Sequence, residues 1–360
     1  MAKEMKSTRT GQLRFWFPVL ALIVPLAIAV VVAHFTGSVM LQRTVTEALI
    51  RVTVVVGIYV FVGNTGVISF GSVTFMAIAA YAEGWQTCCA MLKPITMPGL
   101  PSFLRDNTIP LLPAAGSSIL LAAAAAFVCG LVLMRMSGLA ASISTLAVLF
   151  ILNAIYSNWQ SVTMGTASMV GLPTYVTGWV ALAAASASII VAWLFQKSSF
   201  GLAVRSTRAD EVAAAACGIS IYKSRLAAFT LSGAIMGLGG VLTAHFLGTV
   251  TINAFFLNLT FLTLAMLVVG GMGSLAGAVV GVVVVTTIVD VFRRLETGVM
   301  IDGQEWALPA GTQELILASV MLLILVFRKN GLMAGREIVL GGDEKSDTVK
   351  ATPPAGVSKA

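Results

Sequence analysis

The chain has 360 residues, of which 58% are hydrophobic and 10% charged, and its mean hydropathy is +0.95. Soluble domains sit near half apolar, so a soluble enzyme or binding domain is excluded, and apolar runs near twenty residues recur instead, the length that crosses a bilayer as helix. The formal net charge of +7 reads as the Lys and Arg excess of cytoplasmic membrane-protein loops rather than as a nucleic-acid surface, and no nucleic acid is expected as a partner.

Lipid offers no hydrogen bonds to bare backbone, so spans are helices or a closed barrel. The runs are continuous and do not alternate, which excludes the barrel. The sequence therefore predicts an all-α integral membrane protein of about ten transmembrane helices in a lipid bilayer. In chain order they fall at 15–35, 44–62, 71–91, 111–134, 138–157, 178–195, 225–247, 255–271, 274–292 and 312–327. The first run has the charge order of a signal peptide, but it is too long and no small-residue cleavage site follows, so it is read as a span. Three segments result: an N-terminus at 1–14, a transmembrane domain at 15–340 with a loop at 196–224, and a tail at 341–360 with no apolar pattern, read as disordered. With the N-terminus inside, 16 of the 22 Lys and Arg residues fall on the cytoplasmic side, which predicts N-in and C-in.

Glu47 and Arg51 stand four apart at the start of the second span and read as a salt bridge that shields both charges. Next comes "GNTGVISFG" at 63–71, too rich in glycine and polar groups for a helix interior, which predicts a discontinuous helix. A break at membrane depth survives only inside protein or beside a water-filled cavity. The new helix beginning after Gly71 would offer free N–H groups to a carboxylate, and Asn64, Thr65, Ser69 and Ser72 add neutral hydrogen-bonding groups, which suits a zwitterion. A simple re-entrant packing turn is the rival reading. Glu83 is the one acid well within a predicted span, hence a site candidate. It either meets a substrate ammonium group or lies at the outer interface near Trp85.

Residues 93–110 and 157–177 are polar outer loops. Residues 196–225, "QKSSFGLAVRSTRADEVAAAACGISIYKSR", hold five of the chain's cations. Within them a short cytoplasmic helix is predicted near 206–218, capped by Ser206 or Thr207, with Asp210 and Glu211 at the positive end of its dipole and Gly218 as its stop. It is either a solvated linker or a helix that docks in a groove of a partner. Gly233 and Gly237, and Gly273, Gly277 and Gly281, repeat at four-residue spacing and predict close helix packing. The four cysteines lack metal-ligand spacing and read as small apolar fillers. With only His34 and His245, no metal site is expected. The chain has no Gly-Lys pair, so the phosphate-cradling loop of an ATPase is absent, and no nucleophile–base arrangement argues for an enzyme.

Arg208, Asp210, Glu211, Ala213, Ala214 and Gly218 resemble the "EAA" loop of ABC importer permeases, whose short cytoplasmic helix couples to an ATPase. The stretches "GNTGVISFGSVTFMAIAAY" (63–81), "GISIYKSRLAAFTLSGAIMGLGGVLTAH" (218–245), "LVVGGMGSLAGAVVGVVV" (267–284) and "FRKNGLMAGRE" (327–337) are similar to the branched-chain amino-acid permease family in its LivM-type branch, over about residues 45–337. The resemblance implies a transport subunit with no cofactor of its own. It implies ATP bound by two separate ABC ATPase subunits, a second related permease of LivH type, and an extracytoplasmic substrate-binding protein. Asn64, Ser72 and Glu83 depart from the family's usual residues, which leaves the substrate open: a branched-chain amino acid such as leucine, isoleucine or valine, or else urea, a short amide or a ribose-type sugar. An ion-coupled secondary transporter and a membrane scaffold are remoter alternatives.

Overall fold

The computed structural model describes residues 2–88, 93–296, 299–301, 304–306, 309, 311–328 and 331–333. The tail at 341–360, Cys89 and most of the motif at 327–337 lie outside them. The described helices, in chain order, are α1 (Ala2–Phe35), α2 (Val39–Thr65), α3 (Ser72–Thr87), α4 (Lys93–Thr96), α5 (Ser102–Asp106), α6 (Leu111–Leu133), α7 (Gly138–Asn158), α8 (Gln160–Thr163), α9 (Gly178–Lys197), α10 (Ser199–Ala209), α11 (Glu211–Ala216), α12 (Ile221–Leu247), α13 (Leu257–Gly270), α14 (Leu275–Glu296) and α15 (Thr312–Phe327). Two short antiparallel pairs complete the list: Met169–Val170 with Thr249–Val250, and Val299–Ile301 with Gln304–Trp306.

Each predicted span coincides with a helix. Eight are long and apolar enough to cross a membrane. The other two, α3 and α15, have 16 residues each, about 24 Å of helix against a hydrocarbon core of about 30 Å. The polar loop at 93–110 is less irregular than its prolines suggest. It contains α4 and α5, and Lys93 is fully buried beneath it, donating from Nζ to the carbonyls of Leu104 and Asn107 at 3.1 Å.

The centre of the fold is α12, which packs against α2, α3 and α6. Its register shows the helix directions. Phe61 meets Phe229, and Gly57 meets Ile235 and Met236, so α2 runs antiparallel to it. Phe75 meets Phe229 and Ala79 approaches Gly237, so α3 runs parallel to it. Small residues make this possible. A Cβ on Gly237 would stand 2.8 Å from that of Ala122 on α6, one on Gly239 would stand 2.6 Å from Val54 on α2, and one on Gly240 would overlap the Met76 carbonyl on α3. Gly233 likewise abuts Ala126. At the other end of the chain α13 and α14 pack through Gly270, Gly277 and Gly281, with Gly273 in the turn between them. Both glycine series thus pack within the chain. Burial follows: 78% of the apolar window of α2 and 67% of that of α12 are enclosed, against 28% for α1 and α6 and 22% for α7. The last three present apolar side chains outward, as helices facing lipid or a partner do.

One consequence is measurable. Gly240→Leu forces side-chain atoms into the α3 backbone, and overpacking of this kind costs about 1–3 kcal/mol. Thermal unfolding of the purified protein in detergent should show a lowered midpoint. Gly116→Leu, where a Cβ meets nothing within 4 Å, should leave the midpoint unchanged.

Candidate functional site

The helix break lies slightly later than the sequence predicts. Helix α2 continues through Gly63, Asn64 and Thr65, because the hydroxyl of Thr65 donates to the Phe61 carbonyl at 2.8 Å and the Asn64 amide donates to that of Val60 at 3.0 Å. Gly66 ends it in the left-handed region at φ 75°, its N–H returning to the Val62 carbonyl. Residues 66–71 are irregular and α3 starts at Ser72, with no side chain capping its N-terminus. The turn is set deep. Phe70 N–H donates to the Thr145 hydroxyl at 3.2 Å, and Gly71 lies against the Thr145 carbonyl. Thr145 is seven residues past the start of α7, about 10 Å along a helix.

The polar groups of this turn are enclosed and engaged. Asn64, Thr65, Ser69 and Ser72 are all buried, and the Ser72 hydroxyl donates to that of Ser69 at 3.0 Å. Asn64 Oδ1 accepts from Arg205 Nε at 3.0 Å, and the carbonyl of Gly63 accepts from Arg208 Nη1. A helix C-terminus leaves four carbonyls without helical partners, and two arginines of α10 thus hold the end of α2. The carbons of the Arg208 side chain fill the space over Gly66, where a Cβ would stand at 3.1 Å.

The cytoplasmic-type helix predicted near 206–218 is two helices. Ser206 and Thr207 do not cap it. They sit inside α10 and donate back to the carbonyls of Ala203 and Val204 at 2.8 and 2.7 Å, the competition for backbone that hydroxyl residues offer. Ser198 caps α10 instead, accepting from Gly201 N–H. Asp210 breaks the run with extended backbone and caps α11, its Oδ1 accepting from Val212 and Ala213 N–H at 2.8 and 3.0 Å. A carboxylate that caps its own helix is worth more there than one turn in. Gly218 is the stop, at φ 80°. Ala213 is exposed and Ala214 buried. Glu211 forms an ion pair with Arg225, which is buried near the start of α12.

At the opposite end of α12, Glu83 is fully buried. Its Oε1 lies 3.0 Å from His245 Nε2, and its Oε2 accepts from the Ser118 hydroxyl at 2.9 Å. Ser118 in turn accepts from the Gln86 amide at 3.1 Å. His245 Nδ1 faces the Pro173 carbonyl at 2.8 Å. A carbonyl only accepts, so Nδ1 carries a proton, and one further proton lies between Nε2 and Oε1. The Tyr175 ring lies against the imidazole, tilted by 47° with centroids 4.5 Å apart. Burial first, and the charge of Glu83 second, push its phenol above the ordinary value. His245, Ser118, Arg205 and Arg225 are bonding partners of the predicted residues that the sequence did not single out as site residues. For Arg205 the signal was present, since it stands three residues before Arg208, on the same helical face.

The fold and this site define a multi-pass, all-α membrane protein whose interrupted helix is gripped by a charged segment outside the spans, the architecture of a transport subunit. The family described as branched-chain amino acid transport system / permease component matches residues 40–325, and the chain belongs to it. The chain is 27% identical over 322 residues to the LivM protein of Salmonella typhimurium, a high-affinity branched-chain amino acid transport system permease, with 80% of this chain and 68% of the relative covered. The LivM protein of Escherichia coli matches to the same extent. A probable ABC transporter permease of Escherichia coli, YphD, is 36% identical over 102 residues, 27% of this chain and 30% of that one. No solved structure matches.

The buried pair gives a further expectation. Removing one partner leaves the other buried with one polar atom unmatched, and breaking a buried pair in this way costs on the order of 3–5 kcal/mol. Glu83→Ala and His245→Ala should each lower the detergent melting midpoint markedly. The double variant should cost less than their sum, as a thermal-unfolding double-mutant cycle reads directly.

Proposed function

We propose that this chain is the membrane-spanning permease of an ATP-driven importer of a small amino acid, most simply a branched-chain one, in the bacterial inner membrane. The observation that carries this reading is the match of the branched-chain permease family to nearly the whole spanning region. All ten helices cross on this reading, α3 with most of its length sunk in protein, and both termini face the cytoplasm. ATP is bound by two separate ATPase subunits. A second, LivH-type permease completes the pathway, and an extracytoplasmic binding protein delivers the substrate. The chain itself performs no chemistry and holds no cofactor.

The coupling segment is α10–α11, with Arg208, Asp210, Glu211, Ala213, Ala214 and Gly218. Two contacts support its role. Glu211 ties α11 to α12 through Arg225, and Arg205 and Arg208 tie α10 to the last turn of α2. A push on this segment therefore acts on the two helices at the centre of the fold. The switch needs contacts that differ between two states, and charge-assisted bonds from flexible arginines to a helix end are contacts that can exchange.

Reconstituted with its partner subunits in liposomes, the wild-type complex should take up labelled leucine only with ATP. Gly218→Leu, Glu211→Lys and Arg208→Ala should each assemble normally yet hydrolyse ATP with at least tenfold less uptake per ATP. Wild-type uptake ratios in all three variants would remove the coupling role. Uptake of urea or ribose in place of leucine would keep the class and move the substrate.

A further inference from the structure

The polar groups at the helix break and at Glu83 are committed to internal partners. A different pair of charges faces open space. Glu47 and Arg51 lie on α2, where Arg51 stands twelve residues past the helix start. That is about 18 Å along a helix of about 40 Å. Ionisable groups within a membrane-spanning helix are costly, and such groups mark substrate or ion pathways. Arg51 Nη2 donates to Glu47 Oε1, and the two side chains keep 16% and 31% of their surface accessible. Both border a cavity of about 170 Å³, whose other walls are largely apolar, among them Ile50, Val54, Met76 and Leu259.

We propose that Glu47 and Arg51 are the amino-acid site of this permease: the substrate carboxylate binds the Arg51 guanidinium, its ammonium binds Glu47, and its aliphatic side chain enters the apolar cavity. This rests on the amino-acid importer reading. The chemistry is matched end by end. A guanidinium fork receives a carboxylate in two parallel bonds. A carboxylate four residues away on the same helical face accepts an ammonium, so the pair complements a zwitterion and neither an amine nor an acid alone. An apolar cavity of about 150 Å³ admits benzene, so this one suits a short aliphatic side chain and not a peptide. Met76 adds a flexible wall that fits branched chains of differing shape.

An approach is present too. A second cleft, of about 440 Å³, shares Glu47, Phe246 and Leu247 with the cavity and is bordered by Arg43 and Arg293. Both arginines are exposed. Cations at a mouth concentrate carboxylates there, and Arg51 then holds the one that enters.

The test is equilibrium binding of labelled leucine to the purified permease–ATPase complex without the extracytoplasmic binding protein, beside ATP-driven uptake with that protein present. Wild-type complex should bind leucine saturably. Isoleucine should compete, whereas the matching amine without the carboxylate and the keto acid without the ammonium should compete at least tenfold more weakly. Glu47→Gln, Arg51→Gln and the cavity-filling Leu259→Trp should each raise Kd at least tenfold. The exchanged pair, Glu47→Arg with Arg51→Glu, separates a site from a structural ion pair. It restores the salt bridge, so wild-type Kd in this variant would overturn the proposal, and a Kd as weak as in the single variants supports it. Unchanged Kd in the single variants, or no saturable binding to a wild-type complex that still imports leucine, would also overturn it while leaving the importer reading intact. A wild-type complex that imports no amino acid would remove both.

Discussion

The close approach of α12 to α2, α3 and α6 is the constraint on which the rest of the structure depends. In lipid there is no hydrophobic drive between helices, and association rests on packing and interhelical hydrogen bonds. Glycine and alanine along α12 supply the first: Gly237 on Ala122, Gly239 on Val54 and Gly240 on the α3 backbone. The Ser232 hydroxyl supplies the second, donating to the Gly57 carbonyl of α2 at 2.7 Å in a fully buried position. Helices brought this near leave no room for water, so every polar group inside must find its partner in protein. That requirement accounts for the arginines on the end of α2, for Lys93 on the carbonyls of Gln86, Leu104 and Asn107, and for His245 on Glu83.

Much of this was legible in the sequence, and for a physical reason. A bilayer asks for about twenty apolar residues per crossing, and a break needs residues that tolerate irregular backbone. Composition therefore marked all ten helices and the turn after Gly63 before any contact was known. Gly218 was legible as a stop because a left-handed residue there all but requires glycine. What could not be read was register. Glu83 and His245 are 162 residues apart, and Asn64 and Arg205 are 141 apart. Each looks like an isolated polar residue until the helices are set side by side. The misplaced cap had a different cause. Ser206, Thr207 and Asp210 all have capping side chains, and the choice fell to Asp210 because α10 docks on α9, α2 and α12 and continues through both hydroxyl residues.

The same geometry separates two kinds of polar group that look alike in sequence. Ser69, Ser72 and Glu83 are turned inward and satisfied, so they fix the turn and the junction of α3, α6 and α12. Glu47 and Arg51 are bonded to each other yet still accessible. Among the described residues Glu47 and Arg51 bond only each other, and a ligand with both charges can enter such a pair by exchanging one set of bonds for two. A buried group held by other buried side chains offers no such exchange without unmaking the fold.

On the proposed reading, recognition and coupling share one element. α2 is a single helix of 27 residues, with Glu47 and Arg51 about midway along it and Gly63 and Asn64 in its last turn. Its interior carries no proline, and its only other glycine, Gly57, is pinned against Ile235 and Met236. A helix so packed moves as a body, because a close-packed interior has few ways to deform and transmits displacement. A shift imposed on its end through Arg205 and Arg208 would therefore change the distance of Glu47 and Arg51, about three to five turns away along α2, from the cavity wall on α13. On the proposed reading, release of substrate and movement of the coupling segment are two descriptions of one displacement of α2 against α12, and the glycine-lined contact between them is the surface on which it slides.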